Sequence, residues 1–160
     1  MVNLILPSAP SLFPAVIMKL LALIALAFVF FAVVRTALGQ SSSKVLRLPP
    51  SEAAAQAKAG TAIVVDVREP AEWTSGVVAP AYLLPLSDLR ASRAKWAHVL
   101  ATAKAEDKTV LLYCRSGQRS GQAASLLARE GYCVANLGGF RDWQAANLPT
   151  RSPDAPAGNN

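Results

Sequence analysis

The chain has 160 residues, 52% of them apolar, enough to build a core without disulfide or metal staples and too apolar for a disordered chain. Two cysteines outside any Cys-x-x-Cys pair and a single histidine exclude a disulfide scaffold and a structural zinc site, and no metal is expected. Half of the +6 net charge lies before residue 45, in Lys19, Arg35 and Lys44, and the rest forms no basic stripe with interleaved aromatics, so no nucleic-acid partner is expected.

Leu20 to Val34 carries neither a charge nor a helix breaker and is bracketed by Lys19 and Arg35. As a helix it covers about 22 Å, short of the ~30 Å hydrocarbon layer, unless Val16, Ile17 and Met18 join it and Lys19 snorkels. The same stretch suits a secretory signal opening at Met18, with Lys19 as the charged end and Ala37-Leu38-Gly39 as a small-x-small cleavage site. Residues 1–39 are therefore expected to be an N-terminal hydrophobic helix that engages a membrane, as anchor or as cleaved signal peptide. Arg35 argues against cleavage; the short span argues against an anchor. Arg35, Lys44 and Arg47 would keep an anchored domain on the cytoplasmic side, and cleavage would export it. The expected location is the cell membrane or the envelope.

Residues 40–44 form a polar linker, residues 45–150 the domain, and residues 151–160 (RSPDAPAGNN) a frayed, disordered tail. Within the domain the pattern alternates. A strand is expected at Val45–Leu48, an alanine-rich helix at Ser51–Ala59 and a buried strand at Ala62–Val65. A loop over Asp66–Gly76, an extended piece at Tyr82–Leu84 and broken helical sequence over Ser87–Ala105 follow. Thr109–Tyr113 is a β-branched, apolar strand. A helix over Ser120–Glu130, a strand at Cys133–Asn136 and a helix at Phe140–Ala146 complete the domain. Strands alternating with helices indicate an α/β fold whose parallel sheet is covered on both faces.

The chemistry concentrates at Tyr113-Cys114-Arg115-Ser116-Gly117-Gln118-Arg119-Ser120, where a strand ends in a thiol, a polar loop follows and a helix opens. Ligand sites of such sheets lie off the carboxyl ends of the strands. Loop N–H groups and the helix N-terminus can converge on Cys114, and Arg115 and Arg119 add full charges, so the thiol should ionise near neutral pH. Arg115, next to the nucleophile, is expected to speed its reaction; Arg119 is expected to point outward and gather an anionic donor. A phosphate cradle of the Cys-x5-Arg kind needs arginine six positions after the thiol. Here that position is Ser120 and Arg119 comes one residue early, so the smaller loop suits a single sulfur atom better than a phosphoryl group.

Three stretches, in order, resemble the signatures of the single-domain rhodanese (thiosulfate sulfurtransferase) family. They are Val64-Val65-Asp66-Val67-Arg68-Glu69-Pro70-x-Glu72-Trp73, the Cys114 loop, and Leu137-Gly138-Gly139-Phe140-x-x-Trp143 with Leu148-Pro149. The resemblance covers about Val45 to Thr150. It implies a rhodanese-like small parallel sheet flanked by helices, a catalytic persulfide on Cys114 and no organic cofactor. Where the family usually reads close to Gly-His-Ile-x-Gly-Ala, this chain has Gly76-Val77-Val78-Ala79-Pro80-Ala81, a departure that bears on donor specificity.

The expected activity moves a sulfane sulfur from thiosulfate or a similar small anionic donor to a thiol, cyanide or protein acceptor. Arg115, Ser116, Gly117, Gln118, Arg119 and Ser120 would hold the donor. The alternative is a sulfur-carrier or binding module serving one protein partner, with weak turnover of small molecules. Asp66 and Arg68 fit two roles: bracing the rim of the site, or a turn carboxylate beside a surface ion pair. Trp73, Trp96 and Trp143 are expected to pack, Gly138-Gly139 to form a tight turn, and His98 to lie at the surface or half-buried. Cys133 fits a buried apolar thiol; the other possibility is a resolving partner for Cys114.

Overall fold

The computed structural model describes residues 17–21, 23–27, 30 and 45–155. The chain divides into two units, Met1–Ser42 and Ser43–Asn160. In the first, residues 17–21, 23–27 and 30 are helical and exposed. Among the described residues no helix is long and apolar enough to cross a membrane, so the expected anchor gains no support from the structure. The rest of that segment, the 40–44 linker and residues 156–160 lie outside the described residues.

The second unit runs β1 (Leu46–Arg47), α1 (Pro50–Lys58), β2 (Ala62–Asp66), a 3₁₀ helix (Pro70–Ser75), β3 (Val77–Val78) and β4 (Tyr82–Leu83). It continues through α2 (Leu86–Arg90), α3 (Ala97–Ala105), β5 (Thr109–Cys114), α4 (Gln118–Arg129), β6 (Val134–Gly139), α5 (Phe140–Ala145) and β7 (Thr150–Arg151). Five strands form one parallel sheet in the order β1-β6-β5-β2-β4, as the alternation of elements predicts. β5 lies at its centre.

Side chains alternate across a strand, so a sheet buried on both faces is apolar at every position. On one face Ile63, Val65, Val110, Leu112 and Cys114 pack against Leu86, Leu89, Trp96, Leu100 and Leu127. On the other, Val64, Leu111, Tyr113, Ala135 and Leu137 meet Ala53, Phe140 and Trp143. Cys114 therefore ends the central strand on the α4 side, with its carboxyl end leading into the loop.

The broken helical sequence over Ser87–Ala105 is two helices, as expected, and the break falls at Arg93, which takes a left-handed conformation (φ 59°) that no α-helix continues through. Two expectations need correction. Gly138-Gly139 is the end of β6 rather than a turn. Gly138 (φ 88°) sits at an irregularity in the β5–β6 register, which brings Gly139 opposite Cys114. Arg151 does not fray: β7 pairs antiparallel with β3, and the Arg151 guanidinium donates to the carbonyls of Ala79 (2.8 Å), Ala81 (2.7 Å) and Ala155 (2.6 Å). Five N–H donors in a rigid fork let one side chain satisfy carbonyls from two segments.

Candidate active site

β5 delivers Cys114 to the carboxyl edge of the sheet, where the thiol is 1% exposed. The chain then turns through Gly117 (φ 91°) into α4, a backbone conformation that a side chain would strain. A Cβ on Gly117 would also come within 3.1 Å of Gly138 Cα, and one on Gly139 within 2.7 Å of the Arg115 carbonyl. The bare backbone of β6 thus lies directly against the loop and holds its shape.

Inside that loop Gly117 N–H donates to Cys114 Sγ at 3.1 Å, and Ser120 Oγ lies 3.6 Å from the sulfur. Burial pushes the thiol pKa up. The amide and hydroxyl of Ser120 and the amides of Ser116 and Gly117 outweigh it and bring the thiol below its ordinary value. The expected acidification is present; these local dipoles lead it, and the charge of Arg119 interacts with the thiolate as well. Arg115 is exposed. Gln118, also exposed, lines a groove with Leu86, Arg90 and Gln122 instead of touching the sulfur.

Arg119 does not point outward to collect anions. Its guanidinium forks onto the Glu72 carboxylate at 2.5 and 2.7 Å, tying α4 to the 3₁₀ helix. Glu72 also accepts the Glu69 N–H (3.1 Å) and so caps its own helix. Hydrogen bonding from Arg119 holds the Glu72 carboxyl down at about 2.

Asp66 accepts the Arg68 N–H at 2.9 Å, as a turn carboxylate does, but its ion pair with Arg68 is buried rather than at the surface. Asp66 is 0% and Arg68 3% exposed, their charges meet at 2.6 Å, and Arg68 goes on to donate to the carbonyls of Glu72 and Gly76 and to Ser75 Oγ. The guanidinium lies 4.5 Å from the centre of the Phe140 ring. This buried pair supports the 3₁₀ helix from below. Beside it an open cleft of about 350 Å³ is lined by Arg68, Glu72, Ser75, Arg115, Phe140 and Arg141.

Cys133 is exposed, not buried, because β6 begins one residue after it. Val110 pairs with Val134 and Cys114 with Gly139, so the two thiols sit at opposite ends of the sheet. Five residues of strand separate their levels, about 16 Å, against a limit of about 7 Å for Cα atoms of a disulfide. A resolving role is excluded. Trp96 and Trp143 are core residues and His98 is exposed, as expected.

Two site residues escaped the sequence reading, Glu72 in its pairing role and Asn136. Asn136 Nδ2 donates to the Gly117 carbonyl (2.9 Å), while its Oδ1 accepts from Gly138 N–H (3.0 Å) and from Ser120 Oγ (2.7 Å). Its only sequence signal is a polar side chain in an otherwise apolar strand. Among the described residues no cluster could hold a metal ion.

The model of one family, the rhodanese-like domain, matches residues 49–146. A protein of Allochromatium vinosum named sulfurtransferase is 36% identical over 111 residues, 65% of this chain and 94% of that one. An uncharacterized Synechocystis protein is 40% identical over 97 residues, 59% of this chain but only half of its own length. The crystal structure of a rhodanese-related protein from Thermoplasma volcanium superposes with a TM-score of 0.55 at 28% identity, over 66% of this chain and 97% of that one.

Proposed function

The chain belongs to the rhodanese-like domain family, and from that premise we propose that it is a sulfurtransferase working through a persulfide on Cys114. The observation that carries the reading is the sulfur itself, buried under loop amides at the end of the central strand with Gly117 N–H at 3.1 Å. Cys114 as thiolate attacks the outer sulfur of thiosulfate or a similar sulfane donor. The new S–S bond forms as the donor's own S–S bond breaks, and its electron pair leaves with sulfite. The charge on the terminal persulfide sulfur then rests against preorganised amides, which need no reorganisation when it arrives. An acceptor thiolate or cyanide attacks that outer sulfur and returns Cys114 as thiolate. No step needs a proton donor or a cofactor.

Exposed Arg115 and Arg141 border the cleft beside the loop and would gather an anionic donor; Arg119, neutralised by Glu72, would not. The reading predicts ping-pong kinetics with thiosulfate and cyanide, that is, parallel double-reciprocal lines. Intersecting lines would point to direct transfer in a ternary complex. A carrier for one protein partner would load sulfur but turn over cyanide slowly.

The apolar run Leu20–Val34 supports placing this activity at the cell membrane or in the envelope. Membrane fractionation with N-terminal sequencing of the mature protein tests it. Recovery in the soluble cytoplasmic fraction with residues 1–39 intact would refute it.

A further inference from the structure

Four groups lower the Cys114 thiol pKa: the amides of Ser116, Gly117 and Ser120, and the Ser120 hydroxyl. The amides have fixed directions. The hydroxyl does not, because it has one proton and two acceptors within reach, Cys114 Sγ at 3.6 Å and Asn136 Oδ1 at 2.7 Å. Asn136 cannot be turned round. A carbonyl, Gly117 O, faces its Nδ2 and an N–H, that of Gly138, faces its Oδ1, so the oxygen is the atom presented to Ser120. The distance to Asn136 is ordinary for O–H···O. The larger sulfur atom at 3.6 Å is also within reach, so Asn136 and Cys114 compete for the one proton.

We propose that Asn136 is a positioning residue that draws the Ser120 proton from Cys114 Sγ and so limits how acidic the nucleophile becomes. The hydroxyl then divides its one proton between Asn136 Oδ1 at 2.7 Å and the sulfur at 3.6 Å, so its support of the thiolate is weakened rather than lost. Without Asn136 the same hydroxyl turns to donate to the thiolate. The restraint has a purpose: a thiolate loses nucleophilicity as its pKa falls, and the best attacking thiol titrates near ambient pH. The inference rests on the reading of Cys114 as nucleophile, but its test needs no sulfur donor.

The experiment is the pH dependence of Cys114 alkylation by iodoacetamide, in the full chain with exposed Cys133 changed to Ser, for Asn136→Leu, Asn136→Asp, Ser120→Ala and the two double variants. Below the midpoint, Asn136→Leu should alkylate about threefold faster when Ser120 is present and show no gain in the Ser120→Ala background, since one net hydrogen bond is at stake. Asn136→Asp holds the hydroxyl more tightly, so its slowing should shrink when Ser120 is removed, leaving only the effect of the added charge. Arg115 in the loop, Arg119 on α4 with Glu72 facing it, and the Asp66–Arg68 pair after β2 are unchanged throughout and cancel in the cycle. If the Leu variant does not fold, the Asp cycle decides. Ser120→Ala should leave the midpoint in place or raise it, since the hydroxyl stabilises the thiolate where it donates. A lowered midpoint, or strictly additive effects at positions 120 and 136, overturns the proposal. Failure of Cys114 to take up sulfur, with the coupling intact, would instead refute the sulfurtransferase reading and leave this one standing.

Discussion

At the scale of single residues, the side chain proposed to gather the donor is not one that touches the thiol. Arg115 is exposed and makes no ion pair among the described residues, which leaves its charge free for the proposed collection of anions at long range. Arg115→Ala should raise KM for thiosulfate about two- to fivefold at low salt, the worth of one exposed charge, and the effect should fade as ionic strength rises. A steady-state titration at two salt concentrations checks it. Cys133→Ser, an exposed change far from the loop, should keep activity within about twofold over many turnovers. Turnover that stops after one cycle would restore the resolving thiol. Cys114 was legible in the sequence because strand, thiol, loop and helix follow one another in the chain. Asn136 and the Glu72–Arg119 pair were not, because their partners lie across the fold and only tertiary packing brings them together. Cys133 was misread by one residue of strand register, enough to turn a core position into an edge one.

Among elements, the loop after β5 is held from two sides: by the glycine-bare end of β6, and by the ion pair from the 3₁₀ helix. The second contact titrates. Glu72 is held at about 2 in the folded chain against 4.5 when free, chiefly by its hydrogen bond from Arg119. A depressed carboxyl contributes stability that is complete above its free value and is lost as pH falls toward the folded one. Glu72→Gln should therefore lower Tm at neutral pH, by no more than about 1 kcal/mol for a partly exposed pair, and the gap to wild type should close between pH 4.5 and about 2. Thermal melts across that range measure it. A gap that stays constant would show that the carboxylate acts through its helix cap and not through its charge. Most elements were readable from periodicity, since buried parallel strands are short apolar runs between turn residues. A break within Ser87–Ala105 was expected, but its place at Arg93 was not readable, because a left-handed arginine has no local signature.

For the whole molecule, the domain closes on itself through β7, which the Pro- and Ala-rich composition of the tail concealed. Composition reports the lack of apolar side chains to bury; it does not report a guanidinium that ties three carbonyls together. Arg151→Ala leaves those carbonyls without that donor and should cost about 1–2 kcal/mol, a fall in Tm of about 5 °C or more, with Cys114 chemistry unchanged. The central claim is that this fold exists to hold one sulfur atom on Cys114. Its most direct test is the intact mass of the full chain after incubation with thiosulfate and removal of excess donor, for wild type and for Cys114→Ser. The account predicts one added sulfur on wild type, discharged by cyanide, and none on Cys114→Ser, whose melting curve should match that of wild type. No added sulfur on wild type, or the same gain in both proteins, would contradict it.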